Sequence, residues 1–257
     1  MFEKVKLYSK VLGKGQPLII IHGLFGMSDN WQSLAKLYAD YFEVHLIDQR
    51  NHGRSPHTDE FSYLYLSNDI HQYIIDNKLS DFIIMGHSLG GKTAMQFAVS
   101  YPKFLHKLII VDISPRFYSI HHDKIIEGLK ILDFSVLKSR SQADSILSEY
   151  IEDGDVRQFL LKSMYWKEKG KLDFRFNLKS ISQNIANVGE ALESGARCSI
   201  PTLFIKGAKS NYIKDDDEEL IFKHFTDAEI QTLDDVGHWL HAEKPLEFFE
   251  MTVRFCL

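Results

Sequence analysis

Two cysteines in 257 residues, Cys198 and Cys256, fall in no C-x-x-C or mixed cysteine and histidine spacing. That argues against a disulfide framework and against a zinc site. Positive charge is also in deficit: 30 lysines and arginines against 35 acidic residues leave a net charge of −5, with a pI of about 6.2. A phosphate-backbone binder carries the opposite balance, so no nucleic-acid partner is expected. No apolar run approaches the roughly 20 residues needed to cross a bilayer. The first residues, Met1 to Lys14, mix charge with apolar side chains and lack the h-region of a secretory signal. The expectation is a cytoplasmic protein without a membrane span. Internal repeats, low-complexity tracts and linkers are missing too, so residues 1–257 read as a single domain.

What is present is hydrophobic material for a substantial core, 44% of the chain, arranged in short runs. Leu18 to Ile21, Val44 to Ile47, Phe82 to Met85, Leu108 to Val111, Thr202 to Ile205 and Glu229 to Leu233 read as strands. Runs this short and apolar suit strands buried on both faces by crossover helices. Helical patterns alternate with them at Asn30 to Tyr41, Tyr63 to Lys78 and Leu89 to Tyr101, and Leu246, Phe249, Val253 and Cys256 recur at helical spacing near the end. The alternation predicts an α/β fold with a doubly wound, mainly parallel sheet. It breaks between Pro115 and Ile200, where helical patterns such as Ile125, Ile126, Leu129 and Leu132 occur without a convincing strand. Residues 116–199 are therefore expected to form a helical cap over the carboxyl edge of the sheet, where ligands bind in open α/β folds.

Ser88 lies in Gly86-His87-Ser88-Leu89-Gly90-Gly91, between an apolar strand and the helical spacing of Gly91, Ala94, Met95 and Ala98. A G-x-S-x-G segment at a strand-to-helix turn is a nucleophile elbow, in which small neighbours permit a strained backbone that projects the hydroxyl. After the first strand, His22-Gly23-Leu24-Phe25-Gly26 is a glycine-rich turn able to aim a backbone N–H at a developing oxyanion. Leu24 and Leu89 are the expected pair of donors, with Phe25 the adjacent, less favoured choice.

Twelve histidines are present, so identity alone selects none. Chain order and a loop after the last strand select His238, in Val236-Gly237-His238-Trp239, as general base, because neutral imidazole accepts and returns a proton near neutral pH. His22 and His87 are assigned to local turns and His241 to the start of the final helix. His121 and His122 stand at the edge of the cap with no evident role. The acid is harder to assign. The strand Thr202 to Ile205 is followed by Gly207-Ala208-Lys209-Ser210, which lacks the carboxylate of a Gly-x-x-Asp pattern. Asp112, closing the preceding strand, is favoured by that position over the run Asp215-Asp216-Asp217, whose charges suit the start of a helix at Glu218 to His224.

With these segments in place, the chain resembles the α/β-hydrolase superfamily and, within it, the small carboxylesterases of the bacterial YbfF-like family. The narrowest likeness is Asp48-Gln49-Arg50-Asn51-His52-Gly53-Arg54-Ser55-Pro56-His57, joined by His22 to Gly26, Gly86 to Met95, Val111 to Pro115 and Gly237 to Trp239. The resemblance implies Ser88, Asp112 and His238 as a triad, an acyl-enzyme and ester substrates. It also implies an acid placed after the earlier strand. Asp48, Arg50 and Ser55 are expected to hold the loop beside the oxyanion turn, and Lys92 to be solvated, with a contact to an acidic substrate group as the functional alternative.

The expected partner is a small-molecule ester or thioester, with no metal and no organic cofactor. Phe25, Tyr118, Tyr165, Trp166, Phe174, Phe176, Tyr212 and Trp239 are the candidate substrate walls, and an aromatic cap favours a small or medium acyl group. The same scaffold also admits an acyl thioesterase, a cofactor-free perhydrolase or a C–C hydrolase, and outside catalysis a ligand-binding receptor.

Overall fold

The computed structural model describes residues 4–119 and 122–257. Among these residues nine strands run β1 Ser9–Leu12, β2 Pro17–Ile21, β3 Glu43–Ile47, β4 Phe82–His87, β5 Leu105–Val111, β6 Met164–Glu168, β7 Lys171–Phe174, β8 Thr202–Gly207 and β9 Ala228–Leu233. Seven form one sheet in the order β1-β3-β2-β4-β5-β8-β9. Every pairing in it is parallel except that of β1 with β3. The six expected strands are all present. β1 was not among them, because Ser9-Lys10-Val11-Leu12 is a half-exposed edge segment with too few apolar residues to stand out.

Successive side chains on a strand point to opposite faces, and the core divides accordingly. Ile19 and Ile21 pack with Ile84, Ile110 and the helices α2 (Tyr63–Asp76) and α3 (Leu89–Ser100). Leu18 and Ile20 pack on the other face with Met85, Val111, α1 (Gln32–Tyr38) and the C-terminal helix α11 (Pro245–Cys256). A third cluster joins Leu24, Phe25 and Leu89 to the segment inserted between β5 and β8.

That segment contains α4 (Asp123–Ile131), α5 (Arg140–Leu147), α6 (Gly154–Lys162), α7 (Leu178–Gln183) and α8 (Ile185–Val188). It also contains an antiparallel hairpin of β6 and β7, contrary to the purely helical expectation. Lys167, Glu168, Lys169 and Lys171 mask the strand alternation there, and Gly170, at φ 80°, closes the turn. α9 (Glu218–His224) and a separate short helix α10 (Leu240–Glu243) complete the chain, and His241 belongs to α10 rather than to α11. Among the described residues no helix is long and apolar enough to cross a membrane.

Candidate active site

Parallel register brings the chemistry to one edge of the sheet. His87 on β4 pairs with Val111 on β5, so Ser88 and Asp112 leave the sheet side by side, and the Ser88 N–H donates to the Val111 carbonyl at 3.0 Å. Ser88 has φ 53° and ψ −116°, a conformation that costs a residue with a side chain and persists only where its surroundings enforce it. The enforcement is steric. A Cβ at Gly86 would stand 2.2 Å from the Gly90 carbonyl oxygen, and one at Gly90 would stand 2.3 Å from that of Ile21.

Asp112 is fully buried at φ 51°. Its Oδ2 lies 2.7 Å from Nδ1 of His238, and its Oδ1 accepts the Gly207 N–H at 3.1 Å. The Ser210 hydroxyl also donates to Oδ2, at 2.5 Å. The position where a Gly-x-x-Asp pattern would place a carboxylate therefore holds a hydroxyl directed at the carboxylate of the neighbouring strand. The acidic run is occupied elsewhere: Asp215 pairs with Lys206, and buried Asp217 pairs with Arg116. The Tyr212 ring stacks on His238 with centroids 3.8 Å apart. Nε2 of His87 donates to the His238 carbonyl at 2.9 Å, so His87 tethers the loop of residue 238.

The oxyanion turn rests on a polar network in which two imidazoles are held neutral by burial, His22 at a pKa of about 4 and His52 at about 3. Nδ1–H of His22 donates to the Gly23 carbonyl while its Nε2 accepts the Gln49 N–H at 3.0 Å. The Gln49 side chain donates to the His22 carbonyl and accepts the Thr93 hydroxyl. Nδ1–H of His52 donates to the Arg50 carbonyl, which leaves Nε2 to accept the Phe25 N–H at 3.1 Å. The Phe25 N–H is thereby committed, and Leu24 is the donor candidate that remains. Residue 23 abuts the nucleophile, since a Cβ there would lie 3.4 Å from that of Ser88.

Asp48 accepts the N–H groups of Ser28 and Arg54, and the Ser55 hydroxyl donates to the Asp48 carbonyl. Arg50 makes a buried bidentate pair with Asp69 at 2.6 and 2.8 Å. Sequence reasoning missed Gln49 and His52 as supports. Both lie inside the polar segment that carried the family likeness, and only the fold reveals their partners.

Two cavities meet at Ser88. The smaller, about 30 Å³, is walled by Leu24, Leu89, Tyr63, Tyr118, Ile185 and Val188 among others. The larger, about 230 Å³, is walled by Phe25, His238, Trp239, Val156, Phe159 and Leu160 among others. Leu24, Ser88, His122 and Tyr212 border both. His122, for which the sequence suggested no role, thus joins the site, while His121 lies outside the described residues.

Of the candidate wall residues, Phe25, Tyr118, Tyr212 and Trp239 border these cavities. Trp166 does not: it is 55% exposed on the β6–β7 hairpin, because that hairpin is an outer feature of the insertion. Phe176 does not either. It stacks on Phe174 and packs 4.9 Å from Phe25, bracing the wall from behind, and with Tyr165 and Phe174 it lines an outer groove instead.

Lys92 departs from both readings of it, since it is buried and its ammonium is taken up by backbone carbonyls. Its Nζ donates to the carbonyls of Arg116 at 2.5 Å, Glu190 at 2.6 Å and Pro115 at 3.4 Å. Burial, with the Arg116 charge second, pulls its pKa down to about 7. These carbonyls belong to the two ends of the inserted segment, so Lys92 fastens both ends to α3. Lys92→Met is expected to lower stability by about 1–3 kcal/mol by leaving buried carbonyls without a donor. Tm and hydrogen exchange at the Tyr118 N–H, which bonds to the Gly189 carbonyl, are the measures. An unchanged Tm with unchanged exchange would remove Lys92 from this role.

Comparison with known proteins agrees with the geometry. Residues 16–135 match a family model described as alpha/beta hydrolase fold. The chain is 36% identical over 253 residues to a zebrafish (Danio rerio) protein named sn-1-specific diacylglycerol lipase ABHD11, covering 95% of this chain and 80% of that one. It is 30% identical over 230 residues to Esterase YbfF of Escherichia coli, covering 89% and 88% respectively. Among solved structures, a marine microorganism esterase superposes with a TM-score of 0.95 at 43% identity, covering 98% of this chain and all of the other.

Proposed function

The chain belongs to the α/β-hydrolase family, among its esterase- and lipase-like members, and from that premise we propose that it is a serine carboxylesterase acting on small or medium acyl esters. One observation carries the reading: His238, hydrogen-bonded at 2.7 Å to buried Asp112, faces the same cavity as a serine in strained backbone. In this scheme Ser88 Oγ attacks the acyl carbon while Nε2 of His238 takes its proton, and the N–H groups of Leu24 and Leu89 bind the oxyanion. Asp112 holds His238 in the tautomer with Nδ1 protonated and stabilises the imidazolium that forms. Collapse breaks the bond to the alcohol oxygen, which leaves with the proton from His238. Water then attacks the acyl-enzyme by the same route, releasing the acid and restoring Ser88.

Neither metal nor organic cofactor enters these steps. Residues 116–199 act as a cap that walls the site. A second reading, acylglycerol hydrolysis, has the name of the zebrafish relative in its favour.

The test compares phenyl acetate, S-phenyl thioacetate and a diacylglycerol emulsion with purified protein. The oxygen ester is expected to turn over many times per enzyme molecule, with kcat/KM above that of the other two. A rate on the thioester more than tenfold greater would make the protein a thioesterase. Preference for the emulsion would favour the lipase reading, and binding without turnover would make the protein a receptor.

A further inference from the structure

We infer that the two cavities at Ser88 divide the substrate, the smaller taking the acyl group and the larger the alcohol, so that the preferred esters join a one- to three-carbon acyl group to a bulky apolar alcohol. The inference rests on the serine-esterase reading. A tetrahedral intermediate at Ser88 carries four substituents: the Ser88 oxygen, the oxyanion, the departing oxygen and the acyl carbon chain. The departing oxygen must receive its proton from His238, so the first atoms of the alcohol lie beside that imidazole. Only the larger cavity has His238 in its wall. The acyl chain is left to the other side of Ser88, where the smaller cavity begins against Leu24 and Leu89.

Size then sets the substrate class. The smaller cavity, about 30 Å³ against about 230 Å³ for the larger, admits a short acyl chain before its walls are met. The larger cavity, at about 230 Å³, has apolar walls from Phe25, Val156, Phe159, Leu160 and Trp239 and accommodates a ring or a branched chain.

The small cavity is also stiff. The Tyr63 hydroxyl donates to the Val188 carbonyl at 2.7 Å and the Tyr118 hydroxyl to that of Tyr212, so both rings are anchored by their far ends. The Tyr118 N–H bonds to the Gly189 carbonyl at 2.8 Å, and a Cβ at residue 189 would stand 2.2 Å from the Tyr118 carbonyl oxygen. A wall tied at this many points does not swing aside for a longer chain. Close-packed surroundings penalise each added methylene.

Two substrate series test the division. In the first, 4-nitrophenyl acetate, propionate, butyrate, hexanoate and octanoate vary the acyl group. In the second, acetates of phenol, 1-naphthol and cyclohexylmethanol vary the alcohol. From propionate to hexanoate kcat/KM is expected to fall by about ten- to hundredfold, while naphthyl acetate stays within a few-fold of phenyl acetate. Ile185→Ala and Val188→Ala are expected to raise the hexanoate-to-acetate ratio about tenfold without reordering the alcohol series, and Phe159→Ala to alter the alcohol series alone. Hexanoate or octanoate preferred by the unaltered protein overturns the division while leaving the esterase reading intact. So does an Ile185→Ala protein in which the alcohol series shifts and the acyl series does not. Absence of turnover on every ester overturns the serine-esterase reading, and the division falls with it.

Discussion

Ser88→Ala is expected to lower kcat on 4-nitrophenyl acetate by about 10⁵–10⁶-fold, the scale on which loss of the nucleophile disables other triad hydrolases. The size follows from the roles proposed for the other groups. Without the hydroxyl no acyl-enzyme forms, and the Leu24 and Leu89 donors and the apolar walls retain only the modest acceleration that oxyanion binding provides. The variant should fold, because the small residues that hold position 88 at φ 53° remain. Its Tm is expected within a few degrees of the parent. A fluorophosphonate should label the parent at Ser88 and leave the variant unlabelled. A variant that keeps a tenth or more of the activity would show that another group is the nucleophile.

Asp112→Asn is the second large effect, about 10⁴-fold in kcat, by analogy with the serine-protease case. The substitution is nearly isosteric, and asparagine tolerates the positive φ of 51° found here. An amide can direct an N–H at Nδ1 of His238, favouring the tautomer whose Nε2 is protonated and unable to accept the serine proton. The imidazolium also loses a counter-charge 2.7 Å away. The control is Asp215→Asn, which removes only an exposed partner of Lys206 and is expected to leave kcat within a factor of two. A nearly silent Asp112→Asn beside a severe Asp215→Asn or Asp217→Asn would move the acid to the other loop. Steady-state kinetics and Tm on the three variants decide between these outcomes.

How far the site could be read before any coordinates depended on whether a feature is local. The elbow needs Gly86, Ser88 and Gly90 within five residues, so its steric logic is complete in the sequence, and the strand before it is a continuous apolar run. The β6–β7 hairpin is hidden in the sequence because its lysines and glutamate crowd an outer turn and the buried alternation of β7, Leu172 and Phe174, spans only four residues. Lys92 misled for a different reason. A lysine in the first turn of a helix is ordinarily solvated, and its three carbonyl partners arrive from residues 115, 116 and 190. Being aromatic within the cap marks Trp166 and Phe176 as wall candidates, whereas which side of the insertion a ring occupies is decided by packing.

Short-range order therefore lay open in the chain: the alternation of strands and helices, the elbow, the glycine turn, and the edge of the sheet at which Ser88, Asp112 and His238 emerge. Partnership did not. That a serine hydroxyl at position 210 would donate to Asp112, that His52 would take the Phe25 N–H, and that two unequal cavities would meet at the nucleophile are matters of distance between segments remote in sequence. Hydrophobic patterning selects which face of an element is buried. It is the close packing of those faces that sets the few ångströms on which hydrogen bonds and pocket volumes depend.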